Sequence, residues 1–190
     1  MVKHAIFHEG HANKSADISL IKELIKHLNL DFQKIHSYGM GSKSNFFEKE
    51  DKNYQDFKQL LDTDQIDKAL LIIDADNERD NNTYGGFENT KRELLVILEH
   101  LDIKKVCNIY ISCDPNTKEG YLESLILASI PEAHKECIET FFACSQFESR
   151  DNAKAILNQI YKQAYPAAPY NFSHSNFNEL KHKLEALFSL

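Results

Sequence analysis

The stretch Ala69-Leu70-Leu71-Ile72-Ile73-Asp74-Ala75-Asp76 contains the most apolar run of the sequence and ends abruptly in two acids. Five consecutive apolar residues are too few for a buried helix, and they are typical of a strand covered on both faces of a parallel sheet. The stretch therefore predicts a central strand. If the strand continues through Asp74 and Asp76, both carboxylates point to one face, and if the chain turns after Asp74, both can still reach one ion.

Shorter apolar runs alternate with amphipathic segments on either side of this strand. The further predicted strands cover residues 2–8, 32–37 and 105–112. Helices are predicted at residues 15–28, 53–61, 88–101 and 122–129, from 131 onward, and at 151–161 and 178–188, whereas 43–52 is expected to be an exposed loop. This order predicts an α/β fold with a mostly parallel four-stranded sheet flanked by helices.

The composition fits one domain of an ordinary globular protein. The chain has 190 residues, of which 42% are hydrophobic and 27% charged. We expect an α/β core over residues 1–130 and a C-terminal helical extension, 131–190, that packs on it. No apolar run reaches the roughly 18 residues of a membrane span, and His8 and Glu9 interrupt the first apolar segment too early for a signal peptide. A cytoplasmic protein without a membrane partner is the expectation.

The four cysteines are not paired in any C-x-x-C motif, which argues against a structural zinc site. Free buried thiols are therefore expected. The net charge of −7 has a different consequence. Proteins that hold nucleic acid mainly through phosphate contacts are usually basic, so a phosphate-bearing substrate would need a local counter-charge such as a bound cation.

Acidic residues follow several predicted strands at the point where each strand ends. These residues are Glu9, Asp74, Asp76 and Asp114. The carboxyl ends of parallel strands share one edge of the sheet, and ligands collect there. Converging carboxylates repel one another, and Mg²⁺ is a natural counter-ion because it prefers oxygen ligands. The pattern predicts a divalent-metal site at this edge.

Two of these stretches carry a family resemblance. The segments Ala5-Ile6-Phe7-His8-Glu9-Gly10 and Leu70-Leu71-Ile72-Ile73-Asp74-Ala75-Asp76 resemble the Glu-Gly and Asp-x-Asp motifs of the TOPRIM domain. That Rossmann-like domain is shared by topoisomerases, bacterial primases, small ribonucleases, recombination proteins and OLD-family nucleases. A third stretch, from Glu119 to Leu127, resembles the G-x-L-E segment of a stand-alone, OLD-like TOPRIM group of unknown function. The resemblance covers about residues 1–130, and the tail is similar more loosely.

The resemblance implies roles for particular residues. Glu9 would act as a general acid/base or as a metal ligand, and Asp74 and Asp76 would bind Mg²⁺ or Mn²⁺. Glu123 matches a later acid of the group, although a glutamate on a helix surface would look the same in sequence. OLD-type enzymes have a further acid four positions after the Glu-Gly pair, where this chain has Asn13.

Asp17 could take the place of that missing acid, or it could be a solvated acid in the first turn of a helix. Phosphoryl transfer also needs positive charge near the scissile group. Lys43, Lys154 and Arg79 are the candidates, and Lys154 is favoured because it lies in the tail that resembles the group. A solvated surface position is the simpler interpretation of most lysines, and an ion pair with Asp80 or Glu78 explains Arg79 as well.

Two functions follow from these patterns. The first is a Mg²⁺-dependent phosphoryl-transfer enzyme, most simply a nuclease or phosphodiesterase acting on nucleic acid or another phosphoester. The alternative is a non-catalytic metal- or nucleic-acid-binding regulatory module, which the acidic charge and Asn13 favour. Haloacid-dehalogenase-like phosphatases also carry Asp-x-Asp, but at their first strand and with a threonine soon after, so this sequence matches them poorly.

Overall fold

The computed structural model describes residues 2–11, 15–81, 83–145 and 170–189. The strands are β1 (Lys3–His8), β2 (Ile35–Gly39), β3 (Ile66–Asp74) and β4 (Cys107–Ser112). The α-helices are α1 (Ala16–His27), α2 (Lys52–Asp62), α3 (Phe87–His100), α4 (Leu122–Leu127), α5 (Glu132–Ser145) and α6 (Asn178–Phe188). Single turns of 3₁₀ helix occupy Phe32–Lys34, Lys43–Phe47, Glu78–Asp80, Lys104–Val106 and Ser175–Phe177.

The four strands form one parallel sheet in the order β2-β1-β3-β4. Phe7 of β1 lies opposite Tyr38 of β2 and Leu71 of β3, and Asp74 lies opposite Ser112 of β4. The apolar run quoted at the outset is therefore a central strand, as predicted. The predicted α/β fold with a parallel four-stranded sheet flanked by helices is confirmed.

Alternate residues of the strands supply two separate hydrophobic cores. One lies on the face covered by α2 and α3 and includes Phe7, Phe57 and Leu71. The other lies on the face covered by α1, α4 and α6 and includes Ile6 and Leu70. The side chains of Leu180, Leu184 and Leu187 on α6 are at most 1% exposed in this second core. The last helix therefore closes one face of the sheet, while the boundary at residue 130 stays a prediction.

The helix that follows β1 forms for reasons visible in its sequence. Ser15 caps α1, because its Oγ accepts a hydrogen bond from the Ile18 N–H at 3.3 Å. The apolar residues at helical spacing, Leu20, Ile21, Leu24 and Ile25, are all buried. The Ser15 cap fixes where α1 begins, and the apolar face determines which side of the helix packs on the sheet.

Some predicted boundaries were wrong. The second strand begins at Ile35 rather than Phe32, because Asp31 caps a 3₁₀ turn by accepting from the Gln33 N–H at 2.9 Å. Residues 43–47 are not an exposed loop, because Phe46 is fully buried and anchors a 3₁₀ turn in the core. The predicted helix at 151–161 lies outside the described residues.

The cysteines are free thiols, but two of them are not buried. Cys113 is buried and Cys107 is partly buried, whereas Cys137 and Cys144 are exposed on α5. The prediction of buried thiols was therefore wrong for the two helical cysteines. Among the helices in the described ranges, none has the length and apolar character required to span a membrane.

Candidate acidic site at the carboxyl edge of the sheet

Glu9 and Asp74 meet where the two central strands end. The Asp74 backbone N–H donates a hydrogen bond to Glu9 Oε1 at 2.7 Å. Because β1 and β3 are parallel neighbours, residues 65 positions apart in sequence arrive at the same edge. The structure therefore brings these two predicted residues into direct contact.

The Asp74 side chain also holds the start of α4. Its Oδ1 accepts a hydrogen bond from the Leu122 N–H at 2.9 Å, at the first residue of that helix. The first amides of a helix lack partners within the helix, so a carboxylate is a favourable acceptor for them. Asp74 thus links the end of β3 to the first turn of α4.

The chain turns sharply after Asp74, which is the second of the two geometries considered from sequence. Asp76 has a φ of +57°, in the left-handed region. Its backbone forms an isolated antiparallel bridge to Gly120, with an Asp76 N to Gly120 O distance of 2.7 Å and a Gly120 N to Asp76 O distance of 3.1 Å. This pair of hydrogen bonds fixes Asp76 at the edge, one turn beyond Asp74.

Lys43 supplies positive charge to this edge. Its Nζ donates a hydrogen bond to the Ala75 carbonyl at 2.5 Å and lies 3.4 Å from Asp76 Oδ2. The residue is only 7% exposed, so the interpretation of Lys43 as a solvated surface lysine was wrong. Burial lowers the pKa of the ammonium, and the nearby Asp76 and Glu9 carboxylates oppose that change.

Aromatic rings lie beside the Lys43 ammonium. Its Nζ is 5.9 Å from the centroid of the Tyr84 ring, and that ring stacks on Phe47 at 4.7 Å. Phe47 belongs to the same 3₁₀ turn as Lys43. Phe46 and Phe47, three and four positions after Lys43, were the sequence signal that this segment packs inward, because such rings anchor a segment to the core.

Glu9 has an unusual affinity for protons. Burial raises its pKa from the ordinary value of 4.5 to about 7, and the charges of Asp76 and Asp17 act in the same direction. The hydrogen bond from the Asp74 N–H and the charge of Lys43 oppose the change. Glu9 therefore exchanges its proton near neutral pH, which is the range that suits a general acid or base.

Asp17 lies in the first turn of α1 and also faces the site. Its Oδ2 accepts a hydrogen bond from the Gly10 N–H at 3.0 Å. With Glu9 and Asp74, it lines a cavity of about 10 Å³, which is close to the space that one water requires. Asp17 is therefore a first-turn acid that lies at the acidic edge, and its role in a metal site stays a prediction.

The remaining predicted residues lie elsewhere. Glu123 is 4% exposed in the first turn of α4, so it is not a helix-surface glutamate, but it does not line the cavity shared by Glu9, Asp17 and Asp74. Arg79 is exposed and lies 3.9 Å from Asp80, as the ion-pair interpretation expected. Asn13 and Lys154 lie outside the described residues.

The donor atoms of the edge suit a hard cation, but they are not arranged as a complete metal site. Within the ranges that the structure describes, no group of three or more His, Cys, Asp or Glu side chains is positioned to hold a metal ion. Backbone amides and Lys43 occupy positions around these carboxylates instead. Mg²⁺ is often bound through only one or two carboxylates plus substrate phosphate and water, so the metal site stays a prediction.

Comparison with known proteins assigns no family to the chain. No protein-family model matches it, and no curated protein or solved structure shows significant similarity to it. The resemblance of the Glu-Gly and Asp-x-Asp stretches to TOPRIM domains therefore stays a prediction from sequence, and the functional argument depends on the geometry of the acidic edge.

Proposed function

We propose that the protein is a Mg²⁺- or Mn²⁺-dependent phosphoryl-transfer enzyme, most simply a nuclease or phosphodiesterase. The observation that carries the proposal is the convergence of Glu9, Asp74, Asp76 and Lys43 at one edge of the sheet. Such an edge combines oxygen ligands, a proton-exchanging carboxyl and a buried cation. These are the groups that phosphoryl transfer requires of a protein.

Each residue has a distinct role in this proposal. Asp74 and Asp76 hold a divalent ion together with a substrate phosphate, and the ion supplies Lewis-acid stabilisation of charge on the phosphoryl group. Glu9 accepts the proton of the attacking hydroxyl or donates one to the leaving oxygen. Lys43 balances the charge of Asp76 in the absence of substrate and faces the negative charge that a phosphate brings. Lys154 stays a sequence-based candidate for a second positive group.

A non-catalytic module that binds a metal ion or nucleic acid is the second candidate. The observation that favours it is that the carboxylates already have partners within the protein. Asp74 Oδ1 accepts from the Leu122 N–H, Glu9 Oε1 accepts from the Asp74 N–H, and Asp76 lies beside the Lys43 ammonium. In this case the edge would bind one ion and regulate a partner without turnover.

Hydrolysis assays separate the two candidates. We expect the wild-type chain to cleave single- or double-stranded DNA, RNA, or an activated phosphodiester with Mg²⁺ or Mn²⁺. Glu9→Gln should lose activity by about 10²- to 10⁴-fold, the usual contribution of a general acid/base. Glu88→Gln, an exposed glutamate in the first turn of α3, is the matched control and should keep full activity.

Thermal unfolding with and without divalent ions completes the test. A stabilisation by Mg²⁺ that is lost in Asp76→Asn, combined with no cleavage of any substrate, would favour the regulatory module. A wild-type chain that no divalent ion stabilises and that cleaves nothing would refute both candidates. Asp76→Asn suits this test because it keeps the size of the side chain and leaves the backbone bridge to Gly120 in place.

A further inference from the structure

A pair of lysines surrounds the Phe87 ring at the start of α3. The Lys91 ammonium lies 5.9 Å from the centroid of this ring, and the Lys118 ammonium lies 5.7 Å from it. Both lysines are exposed, whereas Phe87 is partly buried and packs against the core beneath α2 and α3. Two positive charges therefore lie around one anchored ring, and we call these three residues the cationic patch.

Backbone hydrogen bonds connect the cationic patch to the acidic edge. The Phe87 N–H donates to the Lys118 carbonyl at 3.2 Å. Lys118 lies two residues before Gly120, whose backbone pairs with that of Asp76. The residue before Phe87 donates its N–H to the Ala75 carbonyl at 2.9 Å. The patch therefore adjoins the Ala75-Asp76 segment through two separate sets of backbone bonds.

Neither ammonium of the cationic patch forms an ion pair with a carboxylate of the described residues. Acidic partners are not scarce, because the chain has 29 Asp and Glu residues against 22 Lys and Arg. Asp114, in the same turn as Lys118, accepts hydrogen bonds from the N–H groups of Asn116 and Thr117 at 2.8 and 3.1 Å instead. Like charges around one ring repel each other, so an anion that binds close to both ammoniums relieves this repulsion.

Lys118 has a backbone conformation that lysine rarely adopts. Its φ is +61°, in the left-handed region, where glycine, asparagine and aspartate are the usual residues. The other described non-glycine residues with positive φ are all of the favoured types, namely Asn29, Asp64, Asp76 and Asp102. The backbone therefore gives no reason for a lysine at position 118, and strain of this kind is often found where a side chain serves a function.

We propose that Lys91 and Lys118 bind a phosphate group of the substrate other than the one that reacts at the acidic edge. The enzyme then prefers substrates with at least two phosphates, and the cationic patch supplies the local counter-charge that such a ligand needs on an acidic chain. The identity of the reacting phosphate rests on the proposed function, whereas phosphate binding at the patch does not. The second phosphate belongs to a nucleic acid strand or to a small molecule, and two probes distinguish these sources.

Binding to the full chain in EDTA tests the cationic patch without any metal. The probes are a fluorescein-labelled single strand of about twelve thymidylates, followed by anisotropy, and inorganic tripolyphosphate, followed by calorimetry. Lys118→Gln and Lys91→Gln should each weaken binding about fivefold at about 0.1 M NaCl. For the strand, each should also reduce the slope of log K against log salt by about 0.7, the contribution of one phosphate contact. Lys105→Gln, an exposed lysine just before β4, is the matched control and should change neither value.

A further variant separates binding from folding. Lys118→Asn removes the same charge and suits the positive φ better, so it should weaken binding without lowering the urea midpoint. A lower midpoint would make the lysine structural and overturn the inference, as would a wild-type chain that binds neither probe or glutamine variants that bind as tightly as wild type. Binding of the strand alone identifies a polymeric substrate, and binding of tripolyphosphate alone identifies a small one. Lysine-dependent binding without metal-dependent cleavage refutes only the enzyme, and cleavage whose kcat/KM neither glutamine variant changes refutes only the patch.

Discussion

Replacing Glu9 by Gln should stabilise the fold, and the gain should appear only as the pH rises. The pKa of Glu9 in the folded chain, about 7, lies above its ordinary value of 4.5. The folded state therefore binds this proton more tightly than the unfolded state does. The resulting contribution to stability is fully present below about pH 4.5, falls as the pH rises through about 7, and is absent above that. Gln stays neutral throughout and shows no such loss.

The magnitude follows from the two pKa values. Their difference of about 2.5 corresponds to about 3 kcal/mol at 1.36 kcal/mol per pKa unit. Glu9 is partly exposed, so solvent screening reduces this upper limit, and we expect about 2 kcal/mol. The Gln side chain keeps an oxygen that can accept the hydrogen bond from the Asp74 N–H, so the substitution changes mainly the charge.

Urea unfolding in EDTA at about pH 4.5 and about pH 8.5 measures this effect. The free energies of unfolding of wild type and Glu9→Gln should be close at the lower pH, and the variant should be about 2 kcal/mol more stable at the higher pH. Glu88→Gln should show the same difference from wild type at both values. If the difference between Glu9→Gln and wild type does not change with pH, Glu9 ionises like a solvated glutamate and the reasoning fails. Adding Mg²⁺ at the higher pH should stabilise wild type more than Asp76→Asn, as the proposed ion site requires.

Three further outcomes are expected from the same structure. Lys43→Met should lower the free energy of unfolding by about 3 kcal/mol at neutral pH, because it leaves the partly buried Asp76 carboxylate without its cation. Lys104→Met, in an exposed ion pair, should cost less than about 1 kcal/mol, and urea unfolding compares the two variants. Leu184→Ala should cost about 2–5 kcal/mol, since this side chain of α6 is fully buried, and a loss below about 1 kcal/mol would mean that α6 does not cover the sheet. A thiol reagent should label the two cysteines of α5 rapidly and Cys107 slowly, because burial raises the pKa of Cys107 to about 12; mass spectrometry of labelled peptides checks the order.

The fold was predictable because its signals are local. Each strand of a buried parallel sheet leaves an apolar run, and the run from Ala69 to Ile73 marks the centre of the sheet. The meeting of Glu9 with Asp74 was also predictable, since parallel neighbours end at one edge whatever the details of packing. The apolar runs and the meeting of Glu9 with Asp74 both follow from the parallel arrangement of buried strands.

Other parts of the site depend on contacts between distant segments. Lys43 is buried because Phe46 anchors its turn in the core and because its ammonium reaches the Ala75 carbonyl, 32 positions away. Asp76 is held at the edge because the turn after β4 returns to pair Gly120 with Asp76. Periodicity in sequence reports which face of a strand or helix is buried, but it carries no information on such pairings.

The hydrogen bond from the Leu122 N–H to Asp74 Oδ1 also makes this amide sensitive to any ligand that binds Asp74. Anything that draws the Asp74 carboxylate away competes with the first amide of α4 for the same oxygen. The Leu122 N–H is among the first amides of this six-residue helix and has no acceptor within it. Hydrogen–deuterium exchange at this one amide would therefore speed up when an ion or phosphate engages Asp74, and exchange at the centre of β3 would stay slow.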